Sequence, residues 1–60
     1  MFEEYVGLLV KCVFSDSGNN KAVQGILKKI DGNFLLISTN NGNLISINAN
    51  FILSLKEVSQ

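Results

Sequence analysis

Val23-Gln24-Gly25-Ile26-Leu27-Lys28-Lys29-Ile30-Asp31-Gly32-Asn33-Phe34-Leu35-Leu36-Ile37 reads as one β-hairpin. Asp31-Gly32 separates two apolar runs, and those residue types tolerate the positive φ that tight hairpin turns demand. The second arm is apolar at every position from Phe34 to Ile37, the pattern of a strand covered on both sides. In the first arm Val23, Gly25 and Leu27 alternate toward one face, and Ile30 falls one residue out of phase. That break predicts a β-bulge or sharp bend near Lys28-Lys29. A glycine inside a strand marks a bend or the close approach of another backbone, and Gly25 fits that use.

Working outward, the remaining segments read as strands added to this ribbon. Leu8 to Ser15 predicts a strand with Val10, Cys12 and Phe14 on the core face and Leu9, Lys11 and Val13 on the other. Asp16 to Lys21 carries Asx residues and Gly but no apolar side chain, and predicts a polar loop. The first arm of the hairpin is then Ala22 to Ile30, and the second Phe34 to Thr39. Asn40-Asn41-Gly42-Asn43 predicts a further hairpin turn, leading into a strand at Leu44 to Asn48. Ala49-Asn50-Phe51 suits a single 3₁₀ turn before a last strand, Ile52 to Val58. Ahead of all these, Glu3 and Glu4 suit a first helical turn that Gly7 would end. The expectation is one all-β domain over residues 1–60: a five-stranded, strongly bent SH3-like or Sm-like small barrel with a short N-terminal helical turn.

Composition narrows the function. A chain of 60 residues buries only about 60% of its unfolded surface, so small domains usually add disulfides, a metal or a partner chain. Cys12 is the only cysteine and there is no histidine, which excludes an internal disulfide and a Cys/His zinc site. Self-association is the supplement left. The apolar share of 47% leans the same way. Five lysines balance five carboxylates, and arginine is absent. Nucleic-acid binders usually carry a basic excess, with Arg reading phosphate and guanine. The acidic start, Met-Phe-Glu-Glu, is followed by no long apolar run. Neither a signal peptide nor a membrane span is expected, and the cytoplasm is the expected location.

Gly25-x-Leu27-x-x-x-Asp31-x-x-Phe34 resembles the first motif of the Sm-like proteins, the family that includes bacterial Hfq. The Asn that closes that motif is Leu35 here. The Arg-Gly pair of the second motif is replaced by Asn48 and Ala49 ahead of Ile52, and the Lys-His pair of Hfq is missing. A nearer likeness is to small single-barrel proteins of spore-forming Gram-positive bacteria. Tyr5-x-Gly7, Gly25-x-Leu27, Asp31-Gly32 and Ile47-x-x-x-x-Ile52-x-x-Leu55 match their pattern in order. The resemblance implies an Sm-like or SH3-like barrel and no established activity.

The resemblance also implies two roles. In Sm-like rings the fourth strand of one subunit pairs with the fifth of the next. Leu44, Ile45 and Ile47, with Phe51, Leu53 and Leu55, are then the expected subunit interface of a homo-oligomer. The alternative is single-stranded RNA held at the pore loops, with Asn33, Asn48 and Asn50 reaching base edges and Phe34 stacking a base. A plainer reading stands beside each: the eight asparagines satisfy turns, the Phe side chains fill the core, and the two edge strands close the barrel on each other. Lys28-Lys29 with Lys11 and Lys21 reads as a basic patch or as a solvated strand face. Glu3, Glu4, Asp16, Asp31 and Glu57 show no catalytic spacing, and no Gly-rich loop leads into a helix. No catalytic residue, cofactor, metal ligand or small-molecule substrate is assigned, and the expected role is non-enzymatic.

Overall fold

The computed structural model describes residues 1–59; the last position of the trailing Ser59-Gln60 pair lies outside them. A 3₁₀ turn, Glu3–Tyr5, precedes β1 (Leu9–Asp16), β2 (Asn19–Asp31), β3 (Phe34–Thr39) and β4 (Leu44–Asn48). A second 3₁₀ turn, Ala49–Phe51, leads into β5 (Ile52–Glu57). The strands form one antiparallel sheet in the order β4-β3-β2-β1-β5. β3, β4 and the second 3₁₀ turn have the bounds that the sequence predicts. The fold is all-β.

The predicted polar loop at Asp16–Lys21 is a correction: only Ser17 and Gly18 lie outside the strands. Both have positive φ, 54° and 84°, which suits a two-residue hairpin turn. Asp16 and Asn19 are therefore already paired across the ladder, and Asn20 and Lys21 follow them. Polarity does not mark a loop there, because the hairpin tip is exposed and asks no burial of its side chains.

β2 is consequently long. Thirteen residues drawn straight would span about 40 Å, whereas the molecule measures 30 × 22 × 20 Å. The strand must bend, and the register shows where. Leu27 pairs with Ile37 and Lys29 with Leu36, so Lys28 is an extra residue in the ladder. The out-of-phase Ile30 has this bulge as its cause: past Lys28, Ile30 returns to the core side opposite Leu35.

Val10, Cys12, Leu27, Leu35, Ile37 and Ile47 form one buried cluster drawn from four strands. No second layer covers them, so the sheet curls over its own inner face. Phe2, Tyr5 and Leu8 pack on one margin of the cluster, and Phe14, Ala49 and Ile52 are half-buried against it as well. The N-terminal segment is tied down by backbone bonds from Gly7 N–H to the Leu27 carbonyl (2.8 Å) and from Leu27 N–H to the Leu8 carbonyl (3.1 Å). β3 is not covered on both sides as expected. Leu35 and Ile37 are buried, while Phe34 is exposed and Leu36 half-buried, because the sheet has a single inner face and nothing lies over the outer one.

Gly25 sets how closely the central strands approach. A Cβ at that position would overlap the Ser38 carbonyl group, its carbon at 2.8 Å, and Cγ2 of Ile37 at 2.9 Å. Gly25→Ala should therefore push β3 away from β2 and cost about 3 kcal/mol, a large part of a small domain's stability. Thermal unfolding should shift down by more than ~10 °C. An unchanged melting temperature would show that the two backbones have room to spare.

Candidate functional site

The structure brings the four asparagine and phenylalanine candidates for RNA contact together. Ala49 N–H donates to the Asn33 carbonyl at 2.6 Å, which joins the β2–β3 turn to the second 3₁₀ turn. Phe34 and Asn48 are direct partners across β3 and β4. The Asn48 side chain is already engaged within the fold. Its Oδ1 accepts from the Asn50 backbone N–H at 2.9 Å and caps the 3₁₀ turn. Asn33 and Asn50 are exposed, so their amides are open to solvent.

The six expected interface residues divide. Ile47 is buried in the core, and Ile45 and Leu55 are half-buried against it. Leu44, Phe51 and Leu53 are exposed at 60%, 56% and 57%, and Phe34 joins them at 45%. Looseness is not the reason. The chain exposes 3903 Å², close to the roughly 3900 Å² that size scaling gives for a compact protein of this mass. Four large apolar side chains between residues 34 and 53 thus face water on a well-packed domain. β4 and β5 are the two ends of the sheet, and among the described residues no ladder joins them. Neither strand carries proline. β4 carries no charge, and β5 carries Lys56 and Glu57 only at its far end, so the usual guards of an open edge are sparse.

A groove lies beside β4, with a volume of about 430 Å³. Phe14, Phe34 and Phe51 wall it, Ile45 to Asn48 run along one side, and Ser15 and Asp16 stand at its end. Phe14 and the hairpin tip are not legible in the sequence as part of any site. β1 and β4 are far apart in sheet order, and only the curl of the sheet brings them together.

No family model, curated protein or solved structure compared with the chain matches it.

Two lysines of the patch that the sequence suggests have defined neighbours. Lys21 lies at the hairpin tip and donates to Asp16 Oδ2 at 2.8 Å; this bond holds the Asp16 carboxyl below its usual range. Lys11 instead stands directly opposite Lys56 across β1 and β5. Among the described residues no group of three His, Cys, Asp or Glu side chains converges as a metal site would require. Among the same residues no helix is long and apolar enough to cross a membrane.

Cys12 is fully buried between β2 and β5, and burial raises its thiol pKa. A thiol reagent at neutral pH should leave native Cys12 unlabelled and modify it fully after denaturation. The Cys12 contribution to stability is complete below the unfolded thiol's pKa. It is lost as pH rises from there toward the higher folded value, because only the unfolded chain then ionises freely. Rapid labelling of the native chain would contradict this burial.

Proposed function

We propose that this chain is an Sm-like small barrel, its curled sheet closed at the groove, that works without catalysis as a self-associating assembly module in the cytoplasm. The carrying observation is the set of four exposed apolar side chains, Phe34, Leu44, Phe51 and Leu53, beside two open sheet edges. Burying such surface is the dominant gain in most association, and an open edge supplies the backbone donors and acceptors that register a second copy. A head-to-tail contact of β4 on β5 repeats around a rotation axis and closes a ring.

Native mass spectrometry at tens of micromolar should give one defined oligomer, and a clean monomer would overturn the reading. Leu44 is exposed in the single chain, so Leu44→Lys should leave folding intact. Association should weaken about tenfold or more, the scale of one large apolar side chain left in water.

A second reading is single-stranded RNA at the loops 31–33 and 48–50. The Asn33–Ala49 bond favours it, because it holds exposed amides and the Phe34 ring side by side. A zero net charge without arginine withholds the phosphate attraction that supplies most of such affinity. Shift assays with oligo-U and oligo-A at low salt decide: a retarded band abolished by Phe34→Ala supports it, and no band at either sequence removes it.

A further inference from the structure

We propose that the outer face of β1, β2 and β5 is a docking surface for an acidic peptide segment of a partner protein, which seats an aliphatic side chain among lysines. This surface is a sheet face, not an open strand edge, and does not depend on self-association. Its centre is a row of aliphatic side chains. Leu9 pairs with Ile26, and Val58, one residue past β5, donates its N–H to the Leu9 carbonyl at 2.9 Å. All three are half-buried, yet none is among the side chains packed on the core cluster. Alternation sets them on the side of the sheet away from Val10 and Leu27. They line a depression of about 480 Å³ that Glu57 also borders.

Each member of the row has a lysine two residues away, and so on the same face: Lys11 beside Leu9, Lys28 beside Ile26 and Lys56 beside Val58. Lys29 joins them. Leu27 and Ile30 both turn to the core, so the extra residue at Lys28 leaves both intervening lysines exposed on the outer side. Plain alternation would send one of the two inward. Four of the chain's five lysines thus surround the row. Among the described residues none of these four has an ion-pair partner, Asp31 and Glu57 at the ends of β2 and β5 included. Edge protection does not explain them. β1 and β2 each pair on both sides, while the open edge β4 carries no charge. Lys11 also faces Lys56 across the ladder, an arrangement that like charges disfavour until an anion joins them.

Spacing defines the occupant. Lys11 pairs with Gln24, so Lys11 and Lys28 stand on opposite sides of the row, about 13 Å apart along the strand direction. An extended peptide covers that distance with carboxylates on either side of an aliphatic residue, alternate positions of its chain sharing one face. A nucleic acid fits less well. The row gives a base no ring to stack on, and arginine is absent. A bilayer also fits less well, because the apolar groups are recessed in a depression and do not protrude to insert.

A short fluorescein-labelled peptide repeating Glu-Ser-Leu-Ser, which sets Glu and Leu on one face, tests this on the full chain. Fluorescence anisotropy at low salt should show saturable binding that weakens as salt rises. Serine in place of the peptide's leucines should weaken it about tenfold or more. Lys28→Gln with Lys29→Gln in the protein should weaken it by about the same factor, with circular dichroism matching the parent because both positions are exposed. Amide resonances of Leu9, Ile26 and Val58 should shift on titration, and those of Phe34 and Phe51 at the groove should not. Equal binding of the leucine-free peptide would overturn the aliphatic seat. Tighter binding of oligo-U or of phosphatidylglycerol vesicles than of the peptide would overturn the assignment to an acidic partner protein. No binding at low salt, indifference to the lysine variant, or shifts confined to the groove would remove the surface itself.

Discussion

A single sheet with no layer above it has only itself to cover its apolar face. Every other feature of this molecule answers that constraint. Val10, Cys12, Leu27, Leu35, Ile37 and Ile47 can share one dry cluster only if strands that are not neighbours in the sheet come round to face each other. β2 carries the curl, because it pairs on both sides and is the longest strand. Its two devices act at different points. Gly25 lets β3 approach the strand more closely than any side chain would allow, and the extra residue at Lys28 turns the rest of the strand inward.

The same curl creates the candidate site. It carries the end of β1 toward β4 and leaves a groove between them, walled by three phenylalanines from three different elements. It also leaves β4 and β5 as ends that share no ladder. The inner face holds six buried side chains, and of the large apolar residues left over, Leu44, Phe51 and Leu53 lie at or beside the edges. In so small a domain the surface left uncovered is a direct consequence of geometry: a core this size has no room for them. The proposed second copy turns that surplus into a joint.

Polar residues follow a parallel logic. Asn48 has the chemistry of a base-reading side chain and serves as the cap of a 3₁₀ turn. Lys21 has the charge for a cationic patch and is held by Asp16. Lys11 and Lys56 sit opposite each other on the outer face, where like charges are mildly destabilising and solvent screens them. Among the described residues, the groups that line the groove without an ion-pair partner are neutral amides, hydroxyls, aliphatic side chains and aromatic rings. This is why an apolar side chain is a better match to it than a phosphate chain.

Strand identity and bend were legible in the residues themselves. Period-two alternation, the Asp-Gly and Asn-Gly turns, the phase break at Ile30 and the misplaced glycine are all local signals, and each has a local cause in φ preference or side-chain facing. The extent of the first hairpin was not, since Asn19, Asn20 and Lys21 suit an exposed strand as well as a loop, and only the pairing with Phe14, Ser15 and Asp16 decided between them. Nor could the sequence tell which apolar residues stay in water. Phe34 and Ile37 look alike in a run of four, and Ile47 and Leu53 look alike as candidates for an interface. Whether each is buried depends on which side of a bent sheet it meets and on what lies across from it, and that is settled by contacts between strands distant in the chain.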